Sequence, residues 1–240
     1  MLPQRAIEAA TGEYLWFVDA DDVLLPGAIS AAEEALREHK PDLFKMGRLV
    51  DTTRSQEALE VPCPALTRQV TLADIYGQDK GTLDHTTFLF SRQYLLSHGL
   101  RYPEGMTILE DSLFVLRCLA THPVVCHNAT YRFYHIHTRH ATQGRWESAR
   151  RTAFLPDIEA FFQAFRQYAE SHTHARALYD RYLYVYLRGL LVKFCTWREL
   201  MLFRQQAGPY LGHASLQRRL MRCRLSYAIL FVARRMLFFK

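Results

Sequence analysis

The sequence predicts an α/β fold that gives way to a mainly helical C-terminal region, and three observations carry that expectation. The apolar and aromatic run Tyr14-Leu-Trp-Phe-Val18, long enough for a buried strand, ends in the carboxylates Asp19, Asp21 and Asp22. Strand-like runs at 43–50 and 88–90 alternate with segments of helical apolar spacing. After Arg145 the spacing is helical almost to the end. The expected division is therefore residues 1–145, α/β, and residues 146–240, helical with a basic amphipathic tail.

Each element has a local reason. Residues 4–10 read as a short helix broken at Gly12, and 14–18 as a strand. Pro26-Gly27 opens a helix that runs to His39 and stops before Pro41. A strand follows over 43–50, whereas 51–70, with Pro62 and Pro64, reads as irregular. Thr71-Leu-Ala-Asp74 has capping-box character for a short helix. Ser91 caps a helix that Gly99 ends, and Ser112 to Thr121 forms another behind Glu110-Asp111. Tyr131 to His140 reads as a strand on which His135 and His137 share a face. The helical region is interrupted near Pro156, His172 to His174 and Gly208-Pro209.

Composition narrows the class. A chain of 240 residues holds one large domain, or one domain with an appendage, and has ample apolar material for a core. No window reaches the ~18 to 20 uncharged apolar residues of a membrane span. The run from Leu225 to Ala233 stops at Arg234 and Arg235. Met1-Leu2-Pro3-Gln4-Arg5 leads into no apolar signal-peptide core. The five cysteines, Cys63, Cys118, Cys126, Cys195 and Cys223, are odd in number and lack a Cys-x-x-Cys, as expected of a reduced cytoplasmic protein.

The net charge of +6 is unevenly placed: Arg198 to Lys240 holds nine basic residues against Glu199. Leu216, Leu220, Leu225, Ile229, Val232 and Met236 fall at mostly helical spacing among arginines, so a basic amphipathic helix is expected. It would either lie on an anionic membrane surface, on the inner face of the membrane, or pack on the domain with a solvated arginine face. No nucleic-acid module is visible, and nucleic acid is not an expected partner.

Uncompensated carboxylates at the end of a buried strand point to a cation or to water. Hard oxygen ligands at alternate positions suit Mn²⁺ or Mg²⁺, which keep waters and bridge to substrate phosphates. A solvated acidic turn is the alternative.

The flanks add a family resemblance. Ala10-Thr-Gly-Glu-Tyr-Leu-Trp-Phe-Val-Asp-Ala-Asp-Asp-Val-Leu-Leu-Pro-Gly-Ala-Ile29 resembles the Asp-X-Asp segment of family 2 inverting glycosyltransferases with the GT-A fold. Phe88 to Gly105, followed by Ile108-Leu-Glu-Asp-Ser-Leu-Phe114, is similar to that family's acceptor-side segment, with Glu110-Asp111 as its Glu-Asp pair. The resemblance covers roughly residues 3 to 145. It implies an incomplete GT-A (Rossmann-like) core comprising the metal and acceptor side. The family's N-terminal nucleotide-binding half has no counterpart here, so either a truncated chain or one whose missing half comes from another polypeptide is expected, with weak or no activity by itself, and the match decays at Pro3-Gln4.

The resemblance implies transfer of a sugar from a nucleotide-sugar donor to a hydroxyl of a glycan or lipid-linked acceptor. It makes Asp21 the direct metal ligand, with Asp19 on the metal, a metal-bound water or the donor ribose. It makes Asp111 the general base, held by Glu110. Both residues also sit where an acidic helix N-terminus is favoured for purely structural reasons. His137 or Arg139 would bind the donor diphosphate or complete the metal shell, unless these histidines are only a surface cluster. Cys118, His122 and Cys126 offer a zinc alternative with poor spacing. Two competing functions stay open: an inactive glycosyltransferase remnant acting as a binding module, and a haloacid-dehalogenase-like phosphatase using the Asp19/Asp21 strand end.

Overall fold

The structure is a computed structural model, and it describes residues 2–19, 22–24, 27–51, 68–70, 84–106, 108–121, 123–136 and 155–171 with isolated positions beyond. Two compact units are present, one formed by Met1–Gly105 with Glu110–His140, the other by Met106–Leu109 with Ala141–Lys240.

In the first unit the described strands are β1 (Tyr14–Trp16), β2 (Asp22–Leu24), β3 (Leu43–Asp51), β4 (Arg68–Val70), β5 (Phe88–Ser91) and β6 (Val125–Ile136). They form one six-stranded sheet in the order β1-β5-β3-β6-β2, with β4 also on β6. Only β3 and β6 pair in parallel; the other pairings are antiparallel. Asp42 clamps the start of the parallel pair, where its Oδ2 accepts from the Val124 N–H at 2.8 Å. Since β3 runs along one edge of β6, β4 and β2 share the other, at residues 125–127 and 133–135.

The helices are α1 (Leu2–Ala9), α2 (Ala28–His39), a 3-10 turn (His85–Thr87), α3 (Arg92–Ser97) and α4 (Glu110–Ala120). Gly27 precedes α2 at φ 79, and Gly99 follows α3 at φ 59, left-handed positions that glycine occupies without steric cost. Ser91 caps α3 by accepting from the Tyr94 N–H. Three elements differ from the sequence reading. β2 is a strand in the acidic segment, for which the sequence indicates no element, and β4 is one in a stretch expected to be irregular, because their partner is the distant β6, which no local pattern reveals. β6 also begins at Val125, ahead of the expected Tyr131. The helix expected at Thr71 to Asp74 lies outside the described residues.

Strand alternation sorts the core into two faces. Leu89 of β5 with Phe44 and Met46 of β3 packs against Ala32 and Ala35 of α2, whose small side chains permit close approach. Phe88 and Phe90 point the other way, and Phe90 meets Phe114 of α4 at 5.1 Å between ring centroids. Leu113 to Leu116 and Cys118 to Ala120 are all buried, as a helix that is apolar nearly all round requires.

In the second unit α5 (Leu155–Ser171) buries Ile158, Phe161, Phe162, Phe165 and Ala169, one stripe at helical spacing. Pro156 sits in its first turn, where a missing N–H costs nothing, so this proline starts a helix. Tyr179 packs on Phe165 at 5.2 Å.

Candidate functional site

Phe114, which packs on Phe90, belongs to the helix that Glu110 and Asp111 open. Phe17, just past β1, packs edge-on against Phe90 and Phe114, and this fixes the path of the chain towards Asp19. Asp19 itself is exposed. Asp21, His137 and Arg139 lie outside the described residues. Asp22 opens β2 opposite His135, so the acidic segment continues as a strand against the histidine-bearing one.

Glu110 and Asp111 form the first turn of α4, where carboxylates complement the helix dipole. Asp111 Oδ1 accepts from the Ser112 N–H at 2.6 Å. Leu109, directly before the pair, has φ 65, a left-handed conformation that a branched side chain adopts only under strain and that is frequent at functional sites.

Two residues absent from the sequence reading join Asp111. Asp84 caps the 3-10 turn, its Oδ1 accepting from the Thr86 N–H at 3.0 Å and the Thr86 hydroxyl at 2.8 Å. His85 follows, with Nδ1 3.8 Å from Asp111 Oδ2 and its side chain 15% exposed. Each of Asp84, His85 and Asp111 offers one ligand atom, all within 4.8 Å of one another. Two carboxylates and one imidazole make a donor set that a divalent cation such as Mn²⁺ or Zn²⁺ accepts. Asp84 followed by Thr86 is an Asx-type turn signal that the sequence does offer. Nothing local marks His85.

Aromatic rings wall this cluster. Phe17 meets the His85 ring edge-on at 5.0 Å, and Tyr102 meets it at 5.9 Å and 90°. The Tyr102 hydroxyl lies 3.5 Å from His85 Nδ1. Tyr102 is held in turn by α1, since its N–H donates to the buried Gln4 Oε1 at 2.7 Å. Gln4 thus has a structural duty at the point where the family resemblance decays.

The electrostatics agree with the geometry. Burial pushes the Tyr102 phenol far above its ordinary value, and the charges of Asp111, Glu110, Asp19 and Asp84 add to the shift. Burial works to lower the His85 pKa, yet the Asp111 hydrogen bond and the charges of Asp111, Asp84 and Asp19 together raise it. Four carboxylates from three segments therefore act on Tyr102.

Beneath the 3-10 turn, Lys45 of β3 is fully buried; its Nζ donates to Thr87 Oγ1 at 3.1 Å and stands 4.7 Å from the centroid of the Phe88 ring. Cys118, a member of the zinc alternative, is fully buried and its thiol is pushed up by that burial, while His122 lies outside the described residues. A cleft of about 620 Å³ lies elsewhere, against α2, lined among others by Tyr14, Trp16, Glu33, Arg37 and Leu89 and by none of the clustered carboxylates.

A mixed sheet of this order with its helices is a GT-A fold. Residues 4–98 match the model of glycosyl transferase family 2. Solved structures share the fold. TarS 1-349 of S. aureus in complex with UDP-GlcNAc superposes with a TM-score of 0.70 at 16% identity, over 97% of this chain and 70% of that one. TarS 1-349 alone gives 0.67 at 17% identity, over 97% of this chain and 69% of that one. A longer TarS chain gives 0.64 at 16% identity, over 95% of this chain and 40% of that one. No curated protein matches the sequence.

Proposed function

We propose that the chain transfers a sugar, with inversion, from a nucleotide-diphosphate sugar to a hydroxyl of a cell-surface glycan or its lipid-linked precursor, with a divalent cation at the donor. The observation that carries this reading is the packing of Phe17, two residues before Asp19, against His85, Tyr102 and Phe114. It brings the segment leading to Asp19 beside the helix that Glu110 and Asp111 open. A uridine diphosphate sugar is the donor class, by analogy with the TarS structure that holds UDP-GlcNAc.

Inversion requires the acceptor oxygen to attack the anomeric carbon from the face opposite the leaving group. Asp111 takes the hydroxyl proton as the new C–O bond forms and the bond to the diphosphate breaks. Glu110 positions Asp111 or binds a second acceptor hydroxyl. Asp19 and Asp21 are the residues that would hold Mn²⁺ or Mg²⁺, for which paired hard carboxylates are suited. When bound, the cation supplies Lewis-acid stabilisation of the departing diphosphate. His137 and Arg139 add donors for the same phosphates.

No helix among the described residues is long and apolar enough to cross a membrane. The C-terminal arginines support peripheral docking on the inner membrane face. Ile229, helical and 62% exposed, lies on the expected apolar stripe of that tail and supports the same reading.

The test is release of UDP from UDP-GlcNAc by the purified chain with Mn²⁺, water standing in for the acceptor hydroxyl and receiving the sugar. Release that EDTA stops supports the reading. Donor binding without release identifies a binding module instead, and absence of both overturns the donor assignment.

A further inference from the structure

The resemblance assigns no role to His85, and the geometry around it is specific. Its backbone is fixed in the 3-10 turn by the Asp84 cap. The turn is anchored on both sides: the Trp16 indole N–H donates to the Thr86 carbonyl oxygen at 3.0 Å, and Lys45 Nζ donates to Thr87 Oγ1 at 3.1 Å. The ring is gripped edge-on by Phe17 and Tyr102, which leaves it little rotamer freedom. So restrained, it presents Nδ1 towards Asp111 Oδ2 at 3.8 Å. The other oxygen of that carboxylate, Oδ1, is engaged by the Ser112 N–H.

We infer that His85 is the positioning residue for Asp111: with the Ser112 N–H on one carboxylate oxygen and the His85 ring at the other, the base is confined to one orientation. This rests on the proposed role of Asp111 and goes beyond it, because it assigns to a residue outside both sequence motifs the task of aiming the base. A base that swings freely spends much of its time out of line with the acceptor hydroxyl, and misplacement on the scale of 1 Å lowers turnover steeply. His85 acts on kcat through Asp111 and makes no contribution to donor affinity. The same nitrogen lies 3.5 Å from the Tyr102 hydroxyl.

The experiment measures UDP release from UDP-GlcNAc by the full chain with Mn²⁺, water taking the place of the acceptor hydroxyl and giving up its proton to Asp111, and compares wild type with His85→Phe, His85→Asn, Asp111→Asn and the double variant His85→Phe/Asp111→Asn. His85→Phe keeps the packing against Phe17 and Tyr102 while removing the polar contact. The expected loss in kcat is roughly 10- to 100-fold with KM for UDP-GlcNAc unchanged. His85→Asn, whose side-chain amide can reach the carboxylate, restores part of the loss. The double variant is no slower than Asp111→Asn alone, since a residue that works through Asp111 has nothing left to position.

Full turnover in His85→Phe overturns the inference and leaves the role of Asp111 standing. A further slowing in the Asp111→Asn background overturns it too, by giving His85 an independent task. Loss of Mn²⁺ binding in both His85 variants, measured by titration calorimetry, makes His85 a metal ligand and likewise overturns it. Wild type that binds UDP-GlcNAc yet releases no UDP removes the base assignment and the inference together, whereas active wild type with unaltered Asp111→Asn turnover removes the base assignment on its own evidence.

Discussion

The Trp16 indole N–H donates to the carbonyl oxygen of Thr86 at 3.0 Å. That bond ties the strand leading to Asp19 to the turn carrying His85, two segments that the sequence keeps 70 residues apart. It sets the position of one acidic arm of the site relative to the other, and the predictions below probe each arm in turn.

Asp21→Asn should abolish Mn²⁺- or Mg²⁺-dependent donor binding, because the amide keeps the shape and loses the ligand charge. Asp19→Asn should be nearly as severe. Titration of UDP-GlcNAc into each variant with and without metal reads the effect. Undiminished metal-dependent binding in both would remove the Asp-X-Asp assignment.

Asp111→Asn should lower kcat by ~10²-fold or more while donor affinity stays close to wild type, since a general base acts on the acceptor in the transition state. Steady-state kinetics alongside circular dichroism separate this from misfolding. If the variant unfolds instead, its carboxylate is serving α4 as an N-terminal anchor.

His85 gives the fold a pH dependence whose sign follows from its raised pKa. The stabilisation is fully present below the ordinary value of 6.5 and is lost as pH rises through the higher folded value. In EDTA, the urea-unfolding free energies of wild type and His85→Phe should therefore converge as pH climbs above that ordinary value. Curves that stay parallel across this window would mean that the charged ring contributes nothing to stability.

The C-terminal tail should bind vesicles containing anionic lipid and release them as salt rises, because each basic residue near the surface contributes ~1 kcal/mol that screening removes. Neutral vesicles should bind poorly in the same sedimentation assay. Equal binding to both, or binding to neither, is the result that would end the peripheral-membrane reading.

β1 was legible because its apolar run is written consecutively. The same holds for Glu110-Asp111 before an apolar helix and for Ser91 as a cap. Asp84 and His85 were not legible, since their meaning comes from Phe17, Tyr102 and Asp111, which reach them only through the folded sheet. β2 and β4 escaped for a related reason, as strands of three residues whose pairing is decided by β6. Gln4 shows the opposite case, a position where the family resemblance fades yet burial and a hydrogen bond to Tyr102 explain the residue.

The clamp between Asp42 and Val124, residues 82 apart in sequence, has a kinetic consequence. A parallel pair joined across so long a loop is slow to form, because the closure entropy is lost before any ladder bond compensates it. His85 and Asp111 sit inside that loop and much nearer each other, along with Phe90, Tyr102 and Phe114. The aromatic cradle can thus assemble as a local nucleus while β3 and β6 are still apart. Pulse-labelled amide exchange during refolding should protect Leu113 to Leu116 before Phe44 and Met46, so that the reaction centre is older, in the life of each molecule, than the sheet on which it rests.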